Sequence, residues 1–188
     1  GYRGHKADLY EGGHRVPYLA RWPGVLPAGS TSDRLIAHVD LLATFAELVG
    51  TKLPDNAGED SVSHLASLRG PERKSSNRPA LVMQSSNGSF AIREGKWKLC
   101  FCPGSGGWSY PNPEKDDTTG MPRFQLFDLE TDPAETKNLM AAQPEVVKHL
   151  GGLMRSLIET GRSTPGASQA VVRPESWPQI SWMKEFGP

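Results

Sequence analysis

Gly4-His5-Lys6-Ala7-Asp8-Leu9-Tyr10-Glu11-Gly12-Gly13-His14-Arg15-Val16-Pro17, continuing through Tyr18-Leu19-Ala20-Arg21-Trp22-Pro23-Gly24, lies almost at the start of the chain. It reads as a loop, a hinge and a strand. Lys6 stands beside Gly4 in a stretch without apolar periodicity, which places its ammonium on irregular backbone. Gly12-Gly13 reaches φ > 0 without steric cost and is expected to turn the chain sharply. Val16 to Trp22 has the β-branched and aromatic character of a strand, entered at Pro17 and left at Pro23-Gly24. Glu11 and Arg15 are expected to pair with each other or with backbone rather than with a ligand.

Downstream, Asp40 is a candidate N-cap for a helix over Leu41–Val49. Its apolar residues Leu41, Leu42, Phe45, Leu48 and Val49 form one stripe, and Gly50 stops it as a C′ residue. Val62, Leu65 and Leu68 hint at a short helix, and Pro71 to Arg78 reads as an exposed linker. Beyond it the period becomes two. Ala80–Gln84, Phe90–Arg93, Trp97–Phe101 and Phe124–Leu129 are four strand candidates, the middle pair joined by Glu94-Gly95-Lys96 as a hairpin. Pro144 opens a helix whose stripe of Val146, Val147, Leu150, Leu153, Met154, Leu157 and Ile158 is expected to cover one face of that sheet. Gly151-Gly152 weakens its middle by ~1 kcal/mol each relative to Ala, and Gly161 ends it. The irregular run Pro103–Arg123, with Trp108 and Tyr110, is long enough to be functional or mobile. The end of the chain keeps Trp177, Trp182 and Phe186, which are expected to pack on the body or on a neighbouring chain.

With 20 Gly and 16 Pro in 188 residues, the chain is globular and rich in turns rather than a helical bundle. Its 21 basic residues balance 21 acidic ones without a basic stripe, which argues against nucleic acid as a partner. No apolar run approaches the ~18 residues of a membrane span. Cys100 and Cys102 read as two buried free thiols. Asp128, Asp132 and Glu135 lack the glycine and spacing of a calcium loop and are assigned to turn chemistry. His38, at a helix entry, is assigned to structure rather than catalysis.

The run from Gly4 to Gly24 resembles the G-x-K-x-x-x-Y-E-G-G-x-R-V-P-x-x-x-x-W-P-G signature near the end of the catalytic domain of the arylsulfatase family, part of the alkaline-phosphatase superfamily. His38-Val39-Asp40-Leu41 through Gly50 is similar to a helix of that family. Ala91-Ile92-Arg93, Gly95-Lys96-Trp97-Lys98-Leu99 and Leu126-Phe127-Asp128-Leu129 through Asn138-Leu139 resemble its small C-terminal domain. The resemblance implies an α/β fold, α+β for this stretch taken alone. It comprises the end of an alkaline-phosphatase-like α/β domain, then a small four-stranded antiparallel sheet packed on a C-terminal helix. Residues 1–70 would close the catalytic domain, 71–162 form the small subdomain and 163–188 an extended tail.

Lys6 aligns with the lysine that contacts the sulfate group, so the resemblance implies a catalytic and substrate-binding role for it. The family also implies calcium and a formylglycine nucleophile made in a C/S-x-P-x-R motif. Cys102-Pro103 and Ser163-Thr164-Pro165-Gly166-Ala167 both fail that motif, and no metal-ligand pair precedes Lys6. The expectation is therefore the C-terminal portion of a sulfatase. It would act on a sulfated small molecule or glycan once joined to an upstream portion of the same polypeptide, be inactive alone, and be periplasmic or secreted. Two alternatives stand beside it: a phosphate or phosphonate ester hydrolase of the same superfamily, and a non-catalytic packing module. Trp108 and Tyr110 are candidate sugar-stacking or aryl-stacking groups.

Overall fold

Glu94 and Trp97 face each other across a two-residue turn in which Gly95 takes φ 56°, a conformation glycine adopts without penalty. That hairpin is the centre of a four-stranded sheet in the computed structural model, which describes residues 1–70, 78–171 and 176–187. Its strands are β1 (Leu81–Gln84), β2 (Phe90–Glu94), β3 (Trp97–Cys100) and β4 (Gln125–Asp128), in spatial order β1-β2-β3-β4. β2, β3 and β4 run antiparallel, with Ile92 opposite Leu99 and Leu99 opposite Leu126. These are the strands expected from the period-two pattern, β2 longer by one residue (Glu94) and the others trimmed by a residue at one or both ends.

Alternation assigns the two faces. Ala91, Arg93, Lys98, Cys100, Gln125 and Phe127 share one face, and Ile92, Glu94, Leu99, Leu126 and Asp128 the other. The N-terminal segment covers the first: the Tyr10 ring meets Phe127 edge-on and its hydroxyl bonds Gln125 Oε1 at 3.1 Å. Helix α4 (Pro144–Thr160) reaches the second, where His149 Nε2 lies 2.7 Å from Glu94 Oε2, and it buries Val147, Leu150 and Met154. Gly161 ends it at φ 67°. Gly151 is more than a weak point in this helix. A Cβ there would come 2.5 Å from Cζ of Phe186, so the glycine admits that ring. Phe186 belongs to a 3₁₀ helix (Pro178–Phe186) whose Trp182 stacks on Phe101 at 3.9 Å, and Trp177 meets Phe90.

The chain divides into two compact units, one of Gly1–Val16, Val82–Ser156 and Val172–Pro188, the other of Pro17–Leu81 and Leu157–Val171. In the second, helix α2 (Asp40–Leu48) and helix α3 (Leu65–Arg69) are joined by polar contacts. Thr44 Oγ1 donates to Asp40 O at 2.6 Å, accepts from His64 N at 3.1 Å and lies 3.0 Å from His64 Nδ1. Gly50 closes α2 as expected, with Gly50 N bonded to Glu47 O and Thr51 N to Ala46 O in a Schellman pattern.

Three expectations are corrected. Asp40 does not cap its helix, because Val39 occupies that position and makes no side-chain bond. The Asp40 carboxylate accepts instead from Ala37 N at 2.7 Å, Val62 N at 2.9 Å and the Arg78 guanidinium. Arg78 is thus buried rather than part of an exposed linker, while residues 71–77 lie outside the described residues. The apolar stripe of α2 faces outward, with Phe45 56% and Val49 73% exposed, because the helix spends its polar side on α3. Finally, Val16–Trp22 forms no strand. A strand is held by ladder hydrogen bonds to a neighbour, and no such partner is among the described residues of this unit.

Candidate functional site

Lys6 is exposed on a loop whose backbone is fixed from within. Gly4 takes φ 76° without penalty and Ala7 takes φ 87°, so positive-φ positions lie on both sides of Lys6 and the strained one is Ala7. The Asp8 carboxylate, fully buried, holds the loop: Oδ2 accepts from His5 N at 2.8 Å, and Oδ1 accepts from Trp108 N at 2.8 Å and Ser109 N at 3.0 Å. Burial pushes the Asp8 pKa up, but the bonds from Ser109, His5 and Trp108 outweigh it and hold it below the ordinary value.

Gly12-Gly13 serves a different purpose from the hinge expected of it. Both residues lie in the short helix α1 (Glu11–His14), and neither takes positive φ. Their missing side chains allow close approach: a Cβ on Gly12 would fall 2.6 Å from Arg3 O, and one on Gly13 would fall 2.9 Å from His5 O. With that space, Gly12 N bonds Arg3 O at 2.8 Å and the Lys6 loop folds back over the helix.

Beneath the loop lies a buried charge cluster. Lys98 Nζ is 3.0 Å from Glu11 Oε1 and 2.9 Å from Glu135 Oε1. Glu135 Oε2 accepts from Glu11 N at 2.6 Å, and Arg15 and Arg93 approach Glu11 Oε2 at 3.6 and 3.5 Å. The expected Glu11–Arg15 pairing is present. Glu135 does more than the turn chemistry assigned to it: its N closes a turn on Asp132 O at 3.1 Å, while its fully buried side chain binds the amide of Glu11 across 124 residues of sequence. Asp132 does act as a turn residue, accepting from Thr136 N and Lys137 N. Desolvation opposes the charge on Lys98, yet the nearby Glu135 and Glu11 carboxylates hold its pKa above the ordinary value. Desolvation also raises that of Glu135, against the pull of Lys98.

The run Pro103–Arg123 carries no strand, but near Trp108 it is pinned. Ser105 O accepts from Leu9 N at 2.8 Å, Ser105 N donates to Pro111 O at 2.8 Å, and Ser105 Oγ donates to Ser109 O at 2.7 Å. A Cβ on Gly107 would come 2.6 Å from Asp8 Oδ1. The result sets the Trp108 ring beside the cation, with Lys6 Nζ 6.0 Å from the ring centroid. His5 Nδ1 lies 2.7 Å from Ser109 Oγ on the same rim. Tyr110 is 77% exposed.

Among the described residues no three His, Cys, Asp or Glu side chains converge as a metal ion requires. Cys100 and Cys102 are free and buried as expected. Burial pushes the Cys102 thiol up to about 12 and that of Cys100 higher still. Such thiols are poor nucleophiles at neutral pH. Neither a calcium site nor a formylglycine precursor fits the residues described. His14 Nε2 is buried without a hydrogen-bond partner, and burial together with the Lys98 charge holds the imidazole pKa below its ordinary value.

The sulfatase family model matches residues 1–51, the segment that carries Lys6 and α1. An N-acetylgalactosamine-6-O-sulfatase of Bacteroides thetaiotaomicron is 34% identical over 156 residues, covering 83% of this chain and 30% of that protein. Human arylsulfatase A is 35% identical over 166 residues, covering 77% of this chain and 31% of the relative. The chain belongs to the sulfatase family.

This sulfatase chain spans about a third of the length of the relatives it matches. Its fold agrees with theirs. A solved structure from work on the metabolism of multiple glycosaminoglycans by Bacteroides thetaiotaomicron superposes with a TM-score of 0.68 at 34% identity, over 83% of this chain and 32% of that one. A Pseudoalteromonas sulfatase superposes at 0.62 with 25% identity, over 83% and 32% of the two chains. The sulfatase signature located the Lys6 loop, but it did not reveal Asp8, His5, Ser109 or the Lys98–Glu135 pair. Asp8 sits at an unconstrained place in the motif, and its partners lie 100 and 101 residues away.

Proposed function

We propose that this chain is the C-terminal part of a sulfatase that hydrolyses sulfate esters, with Lys6 binding the sulfuryl group. The supporting observation is a coincidence of place: Lys6 lies in the segment matched by the family model and is exposed on a loop clamped by Asp8. A lysine ammonium is a compact charge that follows sulfuryl oxygens as negative charge builds on the departing group. Residues 1–70 close the catalytic domain of the longer protein, 71–162 form its small subdomain and 163–188 its tail. The rest of the polypeptide supplies the formylglycine nucleophile and the calcium ligands, and it covers the outward stripe of α2. The longer protein takes a sulfated small molecule or glycan in the periplasm or outside the cell. No helix among the described residues is long and apolar enough to cross a membrane.

The test is release of inorganic sulfate by the full-length protein from an aryl sulfate and from a 6-O-sulfated amino sugar, beside matched phosphate esters. Sulfate release that collapses on Lys6→Ala supports the reading. Hydrolysis of the phosphate esters alone would replace it with the phosphohydrolase alternative, and residues 1–188 by themselves should release nothing.

A further inference from the structure

The Lys6 amine and the Trp108 indole reach the same rim by separate routes, and one buried side chain fixes both. Asp8 Oδ2 takes the amide before Lys6, and Oδ1 takes the amides of Trp108 and Ser109. The ring remains 56% exposed although its backbone is pinned. A separation of 6.0 Å is the outer limit for a cation–π contact, worth little at an exposed site, so the lysine does not consume the ring face. A solvent-facing indole on a pinned backbone beside the Lys6 amine presents apolar area next to charge, a pairing that suits an ester with a ring and a sulfuryl group.

We propose that Trp108 is the platform on which the ring of the leaving alcohol stacks while Lys6 holds the sulfuryl oxygens. This rests on the sulfate-binding reading of Lys6 and makes Trp108 the residue that recognises the ring of the alcohol. Both a phenol and a pyranose present a flat apolar face to an indole, so the shared chemistry is a ring within stacking distance of the ester.

The experiment measures sulfate release by the full-length protein from 4-nitrophenyl sulfate, a 6-O-sulfated N-acetylgalactosamine and propyl sulfate, which has no ring. Trp108→Ala is expected to raise KM about tenfold for one or both ring-bearing esters and to leave propyl sulfate unchanged, with Trp108→Phe restoring most of the loss. The ring ester that suffers identifies the alcohol. An equal loss on propyl sulfate, or no loss on either ring ester, overturns the platform. Lys6→Ala, run in parallel, should reduce release from all three. If it leaves them unchanged, the sulfate-site reading falls instead, whatever Trp108 does. Thermal melting of Trp108→Ala should match the parent, since the ring is mostly exposed.

Discussion

Lys98 Nζ lies 2.9 Å from Glu135 Oε1, and neither side chain reaches solvent. The contact joins the central strand of the sheet to the loop after β4, and through Glu11 to the helix behind Lys6. Lys98→Met leaves Glu135 buried without its cation and Glu11 with only the more distant Arg15 and Arg93, which costs about 3–5 kcal/mol. Glu135→Gln costs less, because an amide oxygen still accepts from Glu11 N and Lys98 keeps Glu11. Urea unfolding midpoints of the two variants should fall in that order.

Adjacent glycines in α4 should respond with opposite sign. A Cβ at Gly152 meets nothing within 4 Å, so Gly152→Ala stabilises by about 0.8–1 kcal/mol through helix propensity. Gly151→Ala strikes the Phe186 ring and destabilises by about 1–3 kcal/mol, the usual range for overpacking. Thermal denaturation of the two single variants separates them.

Acidification should loosen this region in two stages. The His14 pKa is lowered in the fold, so the unfolded chain takes up a proton first. The stability linked to it is complete above about pH 6.5 and declines as pH falls below that value. The Asp8 pKa is also lowered, so its contribution is complete above about pH 3.9 and is lost as pH falls through the folded pKa. Protonation there releases the clip on Trp108. Indole fluorescence followed against pH should therefore change only in the lower window, and Asp8→Asn should abolish that change.

Lys6→Ala in the full-length protein should lower kcat/KM for sulfate esters by about 10²–10³, the scale for losing one donor to a developing oxyanion. Lys6→Arg should recover part of this, since it restores charge without the compact ammonium. Steady-state sulfate release measures both, and unfolding midpoints near the parent value would show that the effect is local.

Periodicity alone exposed the sheet, α2, α4 and their glycine stops, because strand and helix patterns are written over consecutive residues. The strand expected at Val16–Trp22 followed the same logic and failed, and the apolar stripe of α2 lies exposed. Both patterns describe what a segment would bury, and whether a burying partner exists is not a local property. Gly12-Gly13 shows the complementary error. Glycine permits positive φ and close approach alike, and the choice between them was made by the carbonyls of Arg3 and His5.

The sequence by itself determined the family signature, the loop that bears Lys6 and the order of elements from α2 to α4, since each is encoded in short-range spacing. Only the tertiary structure decided that Asp8 ties Lys6 to Trp108 and that Glu135, besides closing a turn, is a buried partner of Lys98. Those contacts bridge tens to a hundred residues. A carboxylate's role depends on which donors surround it and whether water remains, and that is fixed only when distant segments pack.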